Sequence, residues 1–270
     1  MKVGAVYSLF NSEELVESSI KSIRSSVDFI AIVYQTKSNF GNSYQLGKSV
    51  AKDLLSRGLV DKILPFEPFV FHQDIKMSGV FNTIKKRNIA QRLARQNGCT
   101  HFLSLDCDEF YLTEQLDKAI KIVKEGDYDS SFCQMETYYK YPECQLVPKW
   151  EGYYVPFLYK IRDNIEHTFF DDWDKELFVD NCRRQEVGKK YVFKRDELEM
   201  HHFSYLRKDI RNKYENTEYS TLLNPDWINQ MEESYKNFDI EKDSSVSILK
   251  SDGIEPSKFK IVSNQFNIKI

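Results

Sequence analysis

The chain of 270 residues lacks most of the features that would assign it at a glance. No apolar run approaches the ~18–20 residues needed to span a bilayer. Met1-Lys2 leads straight into a strand-like segment, with no signal-peptide hydrophobic region, so a cytoplasmic protein is expected. The five cysteines (Cys99, Cys107, Cys133, Cys144, Cys182) are odd in number and form no CxxC pair. They read as reduced thiols, which excludes a disulfide frame or a zinc site. A large excess of one charge is missing too: a net charge of −3 gives no general attraction for nucleic acid or anionic lipid. Basic residues form only short clusters, Lys85-Lys86-Arg87 and Arg207-Lys208. There is no internal repeat and no low-complexity linker. Gly-x-Gly-x-x-Gly, the Walker loop, His-Glu-x-x-His and Gly-x-Ser-x-Gly are all absent, which removes several enzyme classes.

What is present points to a globular α/β protein. Hydrophobic residues make up 41% and charged residues 29%. Aromatics reach 14%, with 16 Tyr and 19 Phe; amphipathic rings suit a sugar-lined cleft, and equally a Tyr-rich core. The first half alternates strand and helix patterns. Val3–Leu9 and Phe29–Tyr34 are short apolar runs, the second expected of a strand buried on both faces. Between them Asn11-Ser12-Glu13-Glu14 supplies cap residues, and Leu15, Val16, Ile20, Ile23 and Val27 recur at helical spacing. Leu46, Val50, Leu54 and Leu55 mark a second helix, Ile63–Phe66 a third strand, and Ile89, Ala90, Leu93 and Ala94 a third helix closed by Gly98. A fourth strand, Thr100–Leu105, runs into Asp106. Repeated βα units imply a mainly parallel sheet with helices on both faces, and such sheets bind ligands at the carboxyl ends of their strands.

Asp106-Cys107-Asp108 sits at that edge. In an extended segment residues i and i+2 project to the same side, so Asp106 and Asp108 are expected to converge on one hard cation, Mg²⁺ or Mn²⁺, with Cys107 turned into the sheet. Glu109 adds charge beside them. An ion there would offset the charge of a nucleoside-diphosphate leaving group. The same acids would also serve as helix caps or solvated surface groups.

Lys86-Arg87-Asn88-Ile89-Ala90, Phe102–Phe110 with its Leu105-Asp106-Cys107-Asp108-Glu109 core, and Met200-His201-His202-Phe203 through Asp209 occur in an order that resembles family 2-like glycosyltransferases of the GT-A fold, over roughly residues 1–215. The resemblance implies a GT-A-type, Rossmann-like sheet flanked by helices with a C-terminal acceptor-side helical or irregular region. Residues 1–126 would be the nucleotide-sugar half, 127–215 the acceptor-side half, and 216–270 a helical extension. It also implies a nucleoside-diphosphate sugar donor, UDP or GDP type, a Mn²⁺ or Mg²⁺ ion, and a glycan or lipid-linked acceptor; peripheral membrane contact is left open. Asp106 would lie near ribose and metal, Asp108 would ligate the metal, Arg87 and Asn88 would face the nucleotide, and Tyr7, Ser8 and Leu9 would frame the base. Where many relatives place a base-contacting Asp, this chain has Tyr34-Gln35-Thr36, so Gln35 or Thr36 would take that hydrogen bond.

One of His201 and His202 is expected to complete the metal shell, since adjacent strand residues point oppositely. Arg207, Lys208 and Lys213 would either neutralise a diphosphate or form a solvated helix face. Inversion at the anomeric carbon needs a carboxylate base, for which Asp171, Asp172 and Glu136 are the candidates. Trp150, Tyr153, Tyr154 and Trp173 would stack on sugars or pack the core. Two other functions fit the same elements: a nucleotidyltransferase, although Val3–Glu14 holds no Gly-rich basic loop, and a non-catalytic carbohydrate-binding protein.

Overall fold

The structure is a computed structural model and describes residues 1–149, 151–169, 178–185, 188–217, 224–250 and 253–269. Strands β1 (Val3–Leu9), β2 (Phe29–Tyr34), β3 (Lys62–Pro65) and β4 (His101–Asp106) form a parallel array in the order β3-β2-β1-β4. Helices α1 (Glu13–Ile23), α2 (Leu46–Ser56) and α3 (Ile75–Gln96) make the crossovers. Alternation along each strand explains the layering. Ala5, Tyr7, Ile30, Ile32, Leu103 and Leu105 face a core shared with Val16 and Ile20 of α1 and Leu54 of α2. Val6, Ala31, Val33 and Phe102 face the opposite core, built on Ala90, Leu93 and Ala94 of α3. This is the mixed α/β architecture with a parallel central sheet that the βα pattern predicts.

After β4 a tight turn leads to β5 (Glu109–Phe110) and α4 (Thr113–Gly126), whose Leu116, Ala119 and Val123 cover the first core. The sheet then continues through β6 (Ser130–Tyr139), β7 (Cys144–Val147), β8 (Tyr153–Lys160), β9 (Phe178–Val179), β10 (Lys190–Val192) and β11 (Glu199–Tyr205). β8 joins β4 antiparallel, and β6 joins β8. β11 runs parallel to β6 and pairs antiparallel with β5, with His202 opposite Glu109. That double pairing brings the second half of the chain onto the Asp106 turn.

The C-terminal stretch differs from the expected helical extension. α5 (Ile210–Asn216) and α6 (Pro225–Asn237) are helices, but β12 (Val246–Lys250) and β13 (Gly253–Ile261) form a hairpin that extends the sheet by pairing with β7. Its alternation was masked by polar residues on the open face, Lys258 and Lys260. Tyr139, Tyr214, Met231, Tyr235 and Phe238 form a separate core between this hairpin and the two helices. Among the described residues no helix is long and apolar enough to cross a membrane.

Gly4 lets β1 pack closely on α3 and the residues just after it: a Cβ there would lie 2.8 Å from Cys99 Sγ and 2.9 Å from Ala94 Cβ. Overpacking of this kind costs about 1–3 kcal/mol. Gly4→Ala should therefore lower the melting temperature by several degrees in a thermal melt, and an unchanged melt would contradict the close β1–α3 packing.

Candidate active site

The carboxyl ends of β1, β2 and β4 open on one cleft of about 510 Å³, a size suited to a small-molecule ligand. Each strand delivers its own residues: Ser8, Phe10, Asn11 and Ser12 from β1, Gln35 and Asn39 from β2, and Asp106, Cys107 and Asp108 from β4. The facing stripe of α3 adds Val80, Thr83, Lys86 and Arg87, at the spacing of one helix face. His202, Ser204, Arg207 and Lys213 close a third side, and Tyr153, Phe169, Val179 and Asp180 a fourth.

The carboxylates meet in a way the strand-alternation argument did not foresee. β4 ends at Asp106, and Cys107 and Asp108 form a turn; the turn, not an extended i, i+2 register, brings both acids to the cleft. Cys107 is buried and its thiol donates to Ser8 O at 3.3 Å. Asp106 is gripped by Arg183 and by Arg87, whose Nη2 lies 3.2 Å from Oδ2, while Arg87 Nη1 donates to Ser104 Oγ at 2.6 Å. Burial pushes the Asp106 carboxyl up, but the two guanidinium groups outweigh it and hold it well below the usual carboxylate range. Asp108 is more deeply buried and takes Arg207 Nη2 at 2.5 Å. Burial again opposes ionisation, and Arg207 with His202 holds the group well below its ordinary value. Glu109 behaves differently: burial raises its pKa, although Arg183 lies 2.5 Å away.

The two histidines part company. His202 lines the cleft with Nε2 3.7 Å from Asp108 Oδ2. His201 is buried on the other face of β11, where Nδ1 bonds the Tyr138 hydroxyl at 2.8 Å and Phe266 packs on the ring at 5.0 Å. Burial there pushes its pKa down to about 4. Its candidacy as a metal ligand fails on this geometry, because successive strand residues face opposite sides. Glu136 also lies on that other face, paired with Lys149, beside Glu199 and outside the cleft; it is not placed to act as a base there.

Of the nucleotide-facing candidates, Ser8, Gln35, Arg87 and Asp106 line the cleft. Tyr7 and Leu9 point into the core, Tyr7 with its hydroxyl on Ser19 Oγ at 3.1 Å. Side-chain alternation along β1 leaves only Ser8 of the three facing the cleft. Thr36 is half-buried beside it, its carbonyl accepting from Tyr44 N at 2.8 Å. Asn88 is turned to the back of α3, where Nδ2 donates to His167 O at 2.9 Å and Oδ1 accepts from His167 N at 2.7 Å. The Gln35 carbonyl is held by Lys86, and its amide donates to Lys37 O at 2.7 Å. Asp171, Asp172, Trp150 and Trp173 lie outside the described residues. Tyr153 lines the cleft and Tyr154 packs with Phe132 and Tyr159.

Four side chains of the site have little or no signal in the sequence pattern: Arg183, Asp180, Arg207 and Lys213. Arg183 and Asp180 come from an irregular stretch with no periodicity; Arg183 is buried among Asp106, Glu109 and Asp180, whose Oδ2 is 3.5 Å from Nε. Arg207 is buried rather than part of a solvated face, while Lys208 is exposed. Lys213 donates to Ser204 Oγ at 2.6 Å, and burial with Arg207 nearby lowers its pKa to about 8.

These groups suit a divalent cation in a limited way. Among the described residues no three His, Cys, Asp or Glu side chains converge on a metal position. Asp108 and His202 form a two-ligand set, with Asp106 across the turn; 3.7 Å is a reasonable separation for two ligands about 2.1 Å from one ion. A site with few protein ligands fits Mg²⁺ or Mn²⁺, which keep positions for water and phosphate oxygens.

Removing one partner of a buried ion pair costs about 3–5 kcal/mol, because the other charge stays buried alone. Arg207→Leu should therefore lower the melting temperature by roughly 6–20 °C at about 2–4 °C per kcal/mol. Adding Asp108→Asn should recover part of the loss, a coupling that a double-mutant cycle in denaturant measures.

No family model matches the chain, and no curated protein matches it. Among solved structures it is similar to S. aureus TarS residues 1–349, at 14% identity over 83% of this chain and 66% of that one, with a TM-score of 0.48. It is also similar to glucosyl-3-phosphoglycerate synthase from Mycobacterium tuberculosis in complex with Mn²⁺, UDP and phosphoglyceric acid, at 12% identity over 50% and 43% with a TM-score of 0.31. A third is the mannosyltransferase Ktr4p from S. cerevisiae in complex with GDP, at 10% over 53% and 42% with a TM-score of 0.34. The chain spans less than two thirds of the length of each. Likenesses this remote transfer no activity to it.

Proposed function

We propose that the chain is a metal-dependent glycosyltransferase, moving a sugar from a nucleoside-diphosphate donor of the UDP or GDP type to a hydroxyl of a glycan or lipid-linked acceptor. One observation carries this reading: two ionised aspartates and four cationic side chains, Lys86, Arg87, Arg207 and Lys213, share one cleft at the ends of parallel strands. A diphosphate ester needs cations for its oxygens, and its departure develops negative charge that fixed cations stabilise without reorganisation. The ordered occurrence of the Lys86–Ala90, Phe102–Phe110 and Met200–Asp209 segments supports the same assignment.

Asp108 and His202 would hold Mn²⁺ or Mg²⁺, which when bound supplies Lewis-acid neutralisation of the diphosphate. Arg207 orients Asp108 through its bond at 2.5 Å and is itself fixed by donating to Leu206 O at 2.9 Å. Lys213 and Lys86 are placed to donate to phosphate or ribose oxygens. Asp180 lines the cleft, with Oδ1 accepting from Cys182 N at 2.8 Å and Oδ2 3.5 Å from Arg183 Nε, and would take the acceptor proton in an inverting attack. Asp171 and Asp172, outside the described residues, are the other candidates for that base.

The primary test is a thermal-shift titration of the full chain with UDP, GDP and their sugars, with and without Mn²⁺. A ligand at about 100 times its Kd adds about 2.7 kcal/mol, a rise of roughly 5–10 °C. Asp108→Ala should abolish the Mn²⁺-dependent part of that rise; no shift with any nucleotide would overturn the assignment.

Asp180→Asn should lower kcat by about 10²–10⁴ while leaving the nucleotide-induced shift in place. Unchanged turnover would pass the base role to Asp171 or Asp172.

Lys213 gives a pH signature. Its pKa of about 8 lies below that of a free lysine, so the ammonium form is lost above that pH. A bound diphosphate favours the charged form. Nucleotide affinity should accordingly be flat below about pH 7.5 and fall by up to about tenfold per pH unit above 8, as proton uptake becomes part of binding. Lys213→Arg should flatten the profile, measured by calorimetry across pH 6.5–9.5.

A further inference from the structure

At the β2 end of the cleft the lining is made by Gln35 and Asn39, just beyond that strand, and by Thr83 and Lys86 of α3. Gln35 is buried and its amide is fixed at both ends. Oε1 accepts from Lys86 Nζ, and Nε2 donates to Lys37 O at 2.7 Å and to Asn39 Oδ1 at 3.2 Å. An ammonium only donates and a backbone carbonyl only accepts, so the oxygen and nitrogen of this amide are not interchangeable. With both amide hydrogens committed to the protein, Gln35 has the second lone pair of Oε1 left to offer. Asn39 is oriented in turn. Its Oδ1 faces Gln35 Nε2, and its Nδ2 donates one hydrogen to Thr83 Oγ1 at 3.2 Å; among the described residues the other hydrogen has no partner.

The backbone beneath Asn39 is held as well. Asn82, fully buried on α3, donates to Asn39 O at 3.1 Å and bonds Phe69 N and O at 2.9 and 2.8 Å. Ser38, also fully buried, accepts at Oγ from Phe40 N at 3.2 Å and Asn42 N at 3.1 Å. Phe10 and Val80, both half-buried, add apolar surface to the same cleft for the faces of a flat ring. Polar groups fixed to this degree before a ligand arrives discriminate strongly, because a mismatched ligand atom meets a group that does not turn to suit it.

Along this array come a cation, Lys86, then an acceptor, Gln35 Oε1, then a donor, Asn39 Nδ2. Lys86 stands on the side of the carboxylates, next in the chain to Arg87, which holds Asp106. A pyrimidine joined to ribose at N1 therefore meets the array in the order O2, N3, 4-substituent. Uracil presents acceptor, donor and acceptor there, the complement of all three positions. Cytosine reverses the last two, setting N3 against Gln35 Oε1 and its amino group against the Asn39 N–H. Adenine makes the same two mismatches with N1 and N6. Guanine matches at N1–H and O6 but brings its 2-amino group against the Lys86 ammonium. Thymine shares the uracil edge.

Taking the cleft as a nucleoside-diphosphate site, the reading on which this depends, we propose that Gln35, Asn39 and Lys86 select a uracil-type base. The donor is then of the UDP type and not the GDP type.

Calorimetric titration of the full chain with UDP, GDP, CDP and ADP in the presence of Mn²⁺ isolates the base, because the four share ribose, diphosphate and charge. UDP should bind at least about tenfold more tightly than each of the others, the discrimination expected of one or two mispaired groups. Asn39→Asp turns the donor into an acceptor that suits the cytosine amino group, and should narrow the UDP to CDP ratio by about tenfold or more. Asn39→Ala removes the donor alone and should narrow the ratio several-fold, chiefly by weakening UDP. Asn39 is half-buried, and thermal melts establish that both variants fold. GDP, CDP or ADP binding as tightly as UDP overturns the base assignment and leaves the transferase reading standing. A UDP to CDP ratio that neither Asn39 variant alters does the same. Absence of binding by all four nucleotides overturns both.

Discussion

The site is organised by one constraint: three carboxylates within four residues at the end of a buried strand must be kept ionised or neutralised at close quarters. Asp108 raises the proton affinity of Asp106, and burial raises that of both. Three arginines from distant parts of the chain offset this. Arg87 comes from α3, Arg183 from the loop after β9, and Arg207 from the segment between β11 and α5. Their attachment to a single turn ties the parallel half of the sheet to everything that follows. Desolvation makes such pairs poor sources of net stability, so their value here is positional. Each guanidinium is fixed before any ligand arrives.

That arrangement has a simple charge consequence. The cleft lining carries Lys86, Arg87, Arg207 and Lys213 against Asp106, Asp108 and Asp180, which nearly balance. A diphosphate together with a divalent ion adds two charges of opposite sign and similar size, and leaves the balance close to where it was. A diphosphate alone would leave the cleft negative, and an ion alone would crowd further positive charge against two arginines and two lysines. Electrostatics would therefore favour the two together, the condition under which the binding of a diphosphate and of an ion would be coupled.

The parallel sheet and the strand that ends at Asp106 were legible because they rest on apolar runs and alternation: Val3–Leu9, Phe29–Tyr34 and His101–Asp106 are continuous in sequence. The partners of the turn were not. Arg183 and Asp180 sit in irregular chain whose only signal is charge, and contacts made over 70 residues away leave no local pattern. Asp106 and Asp108 both reach the cleft, but through a turn rather than the extended segment that i, i+2 spacing predicts. Alternation did hold on β11, where it separates His202 from His201, and on β1, where it withdraws Tyr7 and Leu9 from the cleft and leaves Ser8.

α3 shows why the rest was hidden. The apolar spacing marks only its last turns, around Ile89–Ala94, yet the helix begins at Ile75. A helix that packs one stripe on a core advertises itself by period. This one serves three surfaces: Ala90, Leu93 and Ala94 go to the core, Val80, Thr83, Lys86 and Arg87 to the cleft, and Ser78 and Asn82 beneath the Phe69 loop. Each role demands a different residue type, so no single face is apolar along its length and the period dissolves. The weakness of the signal is therefore a consequence of how much function the helix carries. A long helix with buried Asn, Lys and Arg and a broken apolar stripe is held by polar partners outside itself: Lys86 by the Gln35 carbonyl, Arg87 by Ser104 and Asp106, Asn88 by the His167 backbone, and Asn82 by the Phe69 backbone.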